Sequence, residues 1–240
     1  TITARISMNN SRVLILSDTH FPYEKPMYFN WIKKLKAKIK PTNVIHIGDL
    51  ADFNSLSFFD KSPSLKSASF EIIDAKKKIK KLELIFPEMN ILLGNHDIRI
   101  QRLGEKAGIP DSFFKSLNQI LGIKSKWTWN QKLILTLPNG NQVFFTHHFK
   151  ANVLSSSKEL GMSFVAGHLH TVSNLAYWSS PTALNFAMTV GCSIDPKHEA
   201  FKYGKNFIKR PIISVGSIIN SQPALHSMPL DSNGDYTGKL

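Results

Sequence analysis

The sequence predicts an α/β protein in which two β-sheets pack together with helices on their outer sides. The first half alternates short apolar runs with amphipathic stretches in the order β-α-β-α-β, and the second half is rich in short strand-like runs. The chain has 240 residues, 42% of them hydrophobic, which suffices for a sizeable core. Because no linker interrupts the pattern, we expect one domain over residues 1–240. The motif-bearing core is expected within 12–220, and no structure is predicted for 221–240.

The first half is expected to form three parallel strands joined by two helices. Strands are predicted at Arg12–Ser17, Asn43–Ile47 and Met89–Leu93, where aliphatic residues cluster. Helices are predicted at Glu24–Ile39 and Ser67–Phe86, because their apolar residues recur at helical spacing and a proline follows each. Helical crossovers of this kind place the C-terminal ends of the strands at one edge of a sheet.

The second half is expected to begin with short helices within 98–121 and to continue as strands. The runs Lys132–Leu137 and Gln142–Thr146 flank an Asn-Gly pair, which predicts a β-hairpin. Further strands are predicted at Phe164–Ala166, Leu175–Trp178, Ala183–Val190 and Ile212–Ile219.

Composition narrows the class of protein. The formal net charge of +13 favours polyanionic partners, although lysine-rich helix surfaces, such as the run at 76–81, would give the same excess. Cys192 is the single cysteine, which excludes disulfides within the chain and thiolate metal clusters. No apolar run approaches the roughly 18 residues needed to cross a bilayer. The start of the chain lacks a signal-peptide pattern, so a cytoplasmic protein without membrane contact is expected.

Polar motifs follow the predicted strands directly. They are Asp18-Thr19-His20, Gly48-Asp49-Leu50-Ala51-Asp52, Gly94-Asn95-His96-Asp97, the pair His147-His148, and Gly167-His168-Leu169-His170. Taken singly, these residues are also typical of helix caps, turns and ordinary loops. Together, carboxylate and imidazole groups at strand ends suit Mn, Fe, Co, Ni or Zn better than Ca or Mg. Asp49 has two oxygens with which it could bridge two ions.

The order of these motifs resembles the calcineurin-like metallophosphoesterase family. The match runs from Val13 to about His170, and the segment from Gly48 to Arg99 looks most like small stand-alone members encoded by phages and prophages. The resemblance implies a four-layer α-β-β-α sandwich of two mixed β-sheets flanked by helices. It also implies a dinuclear metal site at the C-terminal ends of the strands and hydrolysis of phosphate esters there.

The resemblance further implies which residues hold metal. The expected ligands are Asp18, His20 and His170 for a first ion, Asn95, His147 and His168 for a second, and Asp49 as the bridge. Two divalent transition-metal ions are expected, Mn before Fe, Zn, Ni or Co. They would share a hydroxide that attacks phosphorus in line.

Three further residues receive roles from the same resemblance. His96 would donate a proton to the leaving-group oxygen or stabilise charge there. Asp52 would accept a hydrogen bond from His96 and so fix its orientation, and Asp97 would stabilise the turn. Arg99 would contact a phosphate oxygen of the substrate, or else form an exposed salt bridge.

Two positions depart from the family pattern. His148 stands where a glycine usually follows the strand-end histidine. Because side chains alternate along a strand, one of His147 and His148 should face the site, and motif position favours His147. His148 would then crowd the site or contact the substrate. Phe53 occupies the position at which protein serine/threonine phosphatases carry an arginine, which disfavours that activity.

Several functions stay open at this level. A phosphodiesterase or nuclease acting on DNA, RNA or nucleotides is expected first, because of the positive charge. The alternatives are a phosphomonoesterase acting on a small molecule or phosphoprotein, and an inactive binding scaffold. The scaffold is disfavoured because every ligand position and His96 are filled. The loops Ser55–Leu65 and Lys197–Arg210 are expected to determine substrate choice, and a phage-encoded enzyme would act in the host cytoplasm.

Other notable residues are expected to serve structure. His46 lies inside a predicted strand and is interpreted as a core histidine. Trp127 and Trp129 lie near the hairpin, where packing is favoured over base stacking. His198 and His226 fall outside every motif and are expected at the surface.

Overall fold

The structure, a computed structural model, describes residues 3–7, 12–57, 67–198 and 210–240. Within these residues five α-helices are present: α1 (Tyr28–Ile39), α2 (Ala68–Ile85), α3 (Arg99–Lys106), α4 (Leu117–Leu121) and α5 (Val153–Leu160). No helix in this part of the chain has the length and apolar character needed to cross a membrane.

Twelve strands are found in the same described residues. They are β1 (Thr3–Ser7), β2 (Arg12–Leu16), β3 (Asn43–His46), β4 (Glu88–Leu92), β5 (Lys126–Asn130), β6 (Lys132–Thr136), β7 (Gln142–Thr146), β8 (Ser163–Ala166), β9 (Asn174–Ser179), β10 (Leu184–Thr189), β11 (Ser214–Ile219) and β12 (Gln222–Ser227).

The strands form two six-stranded mixed sheets. Sheet I has the order β1-β6-β7-β8-β10-β9, and sheet II has the order β12-β11-β2-β3-β4-β5. In sheet II, β2 to β5 are parallel and β11 and β12 are antiparallel. In sheet I, β7, β8 and β10 run parallel. The functional loops are therefore carried by parallel strands near the middle of each sheet.

Three apolar clusters hold the layers together. The largest joins α1 and α2 to the outer face of sheet II, with Trp31, Ile79 and Trp127 among its buried members. The second lies between the sheets and includes Ile15 of sheet II and Phe145 of sheet I. The third packs α5 on the outer face of sheet I. This arrangement confirms the predicted α-β-β-α sandwich of two mixed sheets.

The predicted elements are largely present, with four omissions. The three strands and two helices of the first half and the hairpin of β6 and β7 are confirmed within one to four residues. The sequence analysis missed β1, β5, α5 and β12, three of which are edge strands. The loop predicted at Ser55–Leu65 contains a short 3₁₀ helix, Asn54–Leu56, while 58–66 lies outside the described residues. Most of the loop predicted at Lys197–Arg210 also lies outside them.

Candidate metal centre

The predicted motifs meet at the edge where the two sheets present the C-terminal ends of their strands. Sheet II contributes the loops after β2, β3 and β4, and sheet I contributes those after β7 and β8. The backbone pairing of the strands continues into these loops. Asp18 N–H donates to Gly48 O at 3.1 Å, and Gly167 N–H donates to His147 O at 3.2 Å. Side chains distant in sequence are thus held in one cluster.

The first group of donor atoms consists of Asp18, His20, Asp49 and His170. Nε2 of His170 lies 3.1 Å from Oδ1 of Asp18 and 3.1 Å from Nε2 of His20. Nε2 of His20 is 3.7 Å from a carboxylate oxygen of Asp18 and 3.7 Å from one of Asp49. All four donor atoms lie within 4.8 Å of one another, so one ion could contact them together.

The second group consists of Asp49, His147 and His168, with Asn95 beside it. Nε2 of His147 lies 3.2 Å from Oδ2 of Asp49 and 3.2 Å from Nδ1 of His168. Oδ1 of Asn95 is 3.0 Å from the same His147 nitrogen. The structure therefore brings together all seven residues that the sequence suggested as ligands, in two groups that share Asp49.

Asp49 has one oxygen that accepts a backbone hydrogen bond and one that has no hydrogen bond and lies 3.2 Å from Nε2 of His147. Oδ1 accepts a hydrogen bond from the His96 N–H at 2.7 Å. Oδ2 is buried and has no hydrogen-bond partner, although it faces His147 and, at 3.7 Å, Nε2 of His20. An uncompensated buried carboxylate oxygen is costly unless a cation meets it. Oxygen and imidazole donors around this atom fit a pair of transition-metal ions.

Asp18 follows the same pattern. Its Oδ2 accepts hydrogen bonds from the His168 N–H at 2.9 Å and from the Ser17 hydroxyl. Its Oδ1 faces His170 and His20 in the first group. Each bound oxygen fixes the carboxylate, so the other oxygen is presented at a defined place.

Two of the histidines are oriented through their second ring nitrogen. Nδ1 of His20 hydrogen-bonds Oδ2 of Asp52 at 2.8 Å, and Nδ1 of His147 donates to Ile47 O at 2.7 Å. Both rings therefore direct Nε2 toward the centre. Hydrogen bonding of the remote nitrogen is the usual way in which proteins orient a metal-binding imidazole.

Backbone strain is concentrated in these loops. Among the described residues, nine non-glycine residues have a positive φ, and four of them are Asp18, His20, Asp49 and His168. A left-handed conformation at such residues costs on the order of 1 kcal/mol or more and persists only where surrounding contacts enforce it. The strained residues are those whose side chains converge, which is typical of a functional site.

Two glycines provide the space that the carboxylates occupy. A Cβ atom on Gly94 would lie 2.1 Å from Oδ1 of Asp49, and a Cβ on Gly167 would lie 2.6 Å from Oδ2 of Asp18. Neither glycine has a positive φ. They are required for close approach rather than for backbone conformation.

Asp97 does more than stabilise its own turn. Its carboxylate accepts hydrogen bonds from the N–H groups of Gly94, Asp49 and Leu50 at 2.8–3.0 Å. It therefore ties the loop after β4 to the loop after β3. Burial and the negative charge of Asp49 raise the pKa of Asp97 to about 7. The sequence analysis underestimated this residue, whose position inside the Gly-Asn-His-Asp motif was the available signal.

The charges in the centre are strongly coupled. Burial alone would lower the pKa of His20, but the nearby carboxylates of Asp18 and Asp52 raise it to about 10. Burial would also lower the pKa of His147, but the negative charge of Asp49 raises it to about 9. Burial and the neighbouring His147 lower the pKa of His168 to about 4. A metal ion that binds here would displace these protons, because histidine coordinates metal in its neutral form.

His96 lies next to the two groups but makes different contacts. Its Nδ1 donates to the backbone carbonyl of Asp52 at 2.8 Å, and its Nε2 accepts from Nη2 of Arg99 at 3.0 Å. Nη1 of Arg99 donates to the carbonyl oxygens of Asp52 and Phe53 at 2.9 and 3.2 Å. His96 and Arg99 thus share one backbone anchor and form a pair beside Asp49.

The predicted hydrogen bond from His96 to the carboxylate of Asp52 is wrong. Nδ1 of His96 is 3.6 Å from Oδ1 of Asp52, whereas Oδ2 of Asp52 binds His20 at 2.8 Å. The carboxylate therefore orients His20, and the main-chain oxygen of the same residue orients His96. The hydrogen bond with His20 and the nearby imidazole of His96 overcome the effect of burial and hold the pKa of Asp52 well below its usual value.

His147 and His148 follow the end of β7, and they differ in burial. His147 is buried in the second group, whereas His148 is exposed and its ring centroid lies 4.5 Å from that of His168. His148 thus borders the centre without entering it.

The residues expected to serve structure do so. His46 is fully buried and its Nε2 lies 3.0 Å from the Thr19 hydroxyl, while its Nδ1 has no partner. Trp127 is buried and donates from Nε1 to Phe86 O, and Trp129 is bonded to Asn118. His226 is half-buried against Ser217, and His198 lies against Tyr23.

Comparison with known proteins identifies the sequence pattern. A family model described as calcineurin-like phosphoesterase matches residues 11–201 of the chain. No curated protein matches the sequence.

Solved structures of similar architecture were also found. Vps29 of Chaetomium thermophilum is 12% identical with a TM-score of 0.49, and the match covers 95% of this chain and 94% of that one. YfcE, a phosphoesterase from E. coli, is 14% identical with a TM-score of 0.48, covering 94% and 96%. A zinc complex of Vps29 from Entamoeba histolytica is 10% identical with a TM-score of 0.44, covering 90% and 97%.

Proposed function

The chain belongs to the calcineurin-like phosphoesterase family, and from that premise we propose that it is a metal-dependent hydrolase of phosphate esters. The observation that carries the proposal is the buried Oδ2 of Asp49, which has no hydrogen-bond partner and faces histidines of both donor groups. A carboxylate oxygen between two groups of carboxylate, amide and imidazole donors is an arrangement that suits two divalent transition-metal cations.

The ligands of the two ions follow from the two groups. The proposed ligands are Asp18, His20 and His170 for the first ion, Asn95, His147 and His168 for the second, and Asp49 for both. Imidazole nitrogens favour transition metals over Mg and Ca. Among the transition metals we propose Mn first, ahead of Fe, Zn, Ni or Co. When bound, two such ions supply charge stabilisation to the phosphoryl oxygens and a water activated for attack at neutral pH.

The protein's own groups would bind and orient the ester. Nε2 of His96, 3.8 Å from Oδ2 of Asp49, is placed to contact the leaving-group oxygen, where it would donate a proton or stabilise charge. Arg99 would donate to a phosphate oxygen with Nη2, the nitrogen that now donates to His96. Transfer of this donor to the substrate would leave Nε2 of His96 free to take up a proton from water and then, as the imidazolium, to donate it to the leaving-group oxygen. His148 borders the second group and would contact the substrate from that side.

A phosphodiester of nucleic acid or of a nucleotide is proposed as the substrate class, ahead of a phosphomonoester. The net charge of +13 supports this order, because polyanions are attracted to a strongly basic protein. Three lysines of the outer helices give this order little support, because they already have partners within the protein. Lys36 donates to Ile85 O and Lys78 pairs with Glu24, which links each helix to another part of the chain, whereas Lys77 pairs with Asp74 within α2.

Three further expectations remain predictions of the sequence. They are a single domain over residues 1–240, a cytoplasmic location and a phage-type origin. The interaction partner with the strongest support is a phosphate ester, and DNA, RNA or a nucleotide is its proposed form.

The test is a turnover assay of protein reconstituted with Mn. It would compare bis-p-nitrophenyl phosphate, p-nitrophenyl phosphate and a short DNA, with EDTA-treated protein as the control. We expect turnover that EDTA abolishes and a preference for the diester. Turnover of the monoester alone would assign a phosphatase. Bound Mn without turnover of any ester would favour a binding scaffold and overturn the proposal.

A further inference from the structure

The two carbonyl groups that hold His96 and Arg99 belong to a reversal of the chain at Phe53. This residue has a φ of 50°, and its side chain is buried. The carbonyl oxygen of Asp52 accepts from His96 and Arg99, and that of Phe53 accepts from Arg99. The orientation of both side chains therefore depends on how this strained reversal is held.

Glu71, in the first turn of α2, holds the backbone immediately after the reversal. Its Oε1 accepts from the Asn54 N–H at 2.7 Å, and its Oε2 accepts from the Ser55 N–H at 2.8 Å. The side chain is buried, and the Tyr23 hydroxyl also hydrogen-bonds it. Both oxygens of one carboxylate are thus committed to two successive amides.

We infer that Glu71 is a positioning residue for His96 and Arg99. It acts through the backbone of residues 52–55, which it fixes to α2, so that the Asp52 and Phe53 carbonyls lie where the imidazole and the guanidinium need them. The inference rests on the proposed function, since it assigns a role in that reaction to a residue outside the metal centre. Glu71 makes no contact with the seven proposed metal ligands among the hydrogen bonds of the described residues.

The chemistry of the contact requires a carboxylate. At Glu71 the two N–H donors are bound by different oxygens, whereas glutamine of the same size offers one acceptor and one N–H₂ donor. In Glu71→Gln, the N–H of Asn54 or Ser55 would face the N–H₂ group of the glutamine instead of an oxygen. The backbone of residues 52–55 would therefore shift, although no cavity is created. A displacement of about 1 Å in a catalytic group can lower turnover by up to about 10²-fold.

Glu83 provides a matched control on the same helix. Its Oε1 accepts from the N–H groups of Lys124 and Ser125 at 2.7 and 2.8 Å, so it also caps two successive amides. These amides precede β5 and belong to neither donor group. Because one oxygen of Glu83 accepts both amides, Glu83→Gln can keep these hydrogen bonds and controls for the loss of a negative charge from α2 without the connection to His96.

The experiment is a double-mutant cycle with Mn-reconstituted protein and two aryl phosphodiesters, whose leaving groups are p-nitrophenol and phenol. Glu71→Gln is expected to keep its bound metal and to show a kcat about 10- to 100-fold lower than that of the parent. The decrease should be larger for the ester of phenol, the poorer leaving group. In a background that carries both His96→Asn and Arg99→Gln, the same change should alter kcat within about twofold, because the two groups it positions are absent. Glu83→Gln should leave kcat within about twofold of the parent.

A second measurement does not depend on turnover. The ¹⁵N-bound proton on Nδ1 of His96, assigned by its loss in His96→Asn, reports the hydrogen bond to the Asp52 carbonyl. Glu71→Gln should shift or broaden this signal, and Glu83→Gln should not. An unchanged signal in Glu71→Gln, or a full additional loss of kcat in the background that lacks both His96 and Arg99, would overturn the inference. Absence of turnover in the parent protein would count against the proposed function, while the NMR signal would still decide the role of Glu71.

Discussion

The loops of the candidate metal centre and the hairpin turn at 137–141 both connect strands of this fold, yet they are stabilised in different ways. The hairpin is held by its own residues: Leu137 N–H donates to Asn141 O, and Oδ1 of Asn139 accepts from the Asn141 N–H. The metal-centre loops depend on contacts between distant parts of the chain, such as those of Asp97 with the loop after β3 and of Asp18 with His168.

The two regions also differ in which residues adopt the left-handed backbone conformation. In the hairpin the left-handed position is Gly140, where the conformation costs little. In the centre the left-handed positions include Asp18, His20 and Asp49, for which the conformation is unfavourable. Tertiary contacts there hold side chains that would otherwise repel or remain unpaired. Tertiary contacts thus enforce an unfavourable backbone conformation at residues proposed to bind metal, and changes in the two regions should therefore have different effects.

The largest effect is expected from Asp49→Asn, which weakens the proposed bridge. Loss of one anionic charge between two cations should reduce bound Mn well below two ions per chain and abolish turnover, as EDTA should in the parent. Elemental analysis after reconstitution measures this. Asn139→Ala in the hairpin is the control and should bind metal like the parent. Two retained ions in Asp49→Asn would contradict the assignment of the bridge.

The next effect is expected from His96→Asn, which removes a group that contacts the leaving oxygen but not the metals. Turnover should fall by ~10²–10⁴-fold, the usual contribution of a positioned acid, while metal content stays close to that of the parent. Steady-state kinetics and elemental analysis on the same sample separate the two outcomes. If His96→Asn lost both ions while Asp49→Asn kept them, the roles of the two residues would be reversed.

Gly94→Ala and Gly140→Ala compare the two regions directly. The new methyl group at Gly94 would lie 2.1 Å from Oδ1 of Asp49, whereas nothing lies within 4 Å of one at Gly140. We expect Gly94→Ala to lower the free energy of unfolding by about 1–3 kcal/mol and to weaken metal binding, as overpacking does. Gly140→Ala should cost about 1 kcal/mol through its positive φ alone. Equal metal affinity in both variants, measured beside urea unfolding, would show that Gly94 provides no needed space.

The smallest effect is expected from the outer surface of α2. Lys76 and Lys80 are exposed, while Ala75, Ile79 and Leu82 face the core. The double change of these two lysines to Gln should alter stability by less than about 0.5 kcal/mol and leave turnover of a small diester unchanged. The other interpretation of the lysine run at 76–81 is that it binds polyanions. The affinity of the double variant for DNA, measured between roughly 50 and 200 mM salt, tests this interpretation. A salt slope reduced by about 2 would place nucleic acid on this helix.

Much of the fold could be predicted because its central elements carry strong local patterns. The strands β2, β3 and β4 each contain adjacent aliphatic residues, and α1 and α2 have apolar residues at helical spacing. The edge strands β1, β5 and β12 were missed because each is short and half-exposed, and its pairing partner is what makes it a strand. Helix α5 was missed because its serine-rich sequence has low helix propensity, and packing on sheet I stabilises it.

The sequence by itself determined the kinds of donor and their order after the strands, because aspartate, asparagine and histidine at strand ends are visible one motif at a time. Only the tertiary structure decided which histidines face Oδ2 of Asp49. It also decided that the Asp52 carboxylate orients His20 while the carbonyl of the same residue orients His96, and that Glu71 holds this backbone from α2. The physical reason is that these contacts join residues 16 to 152 positions apart. Their partners are set by sheet packing and by the need to satisfy buried polar groups, which no local pattern records.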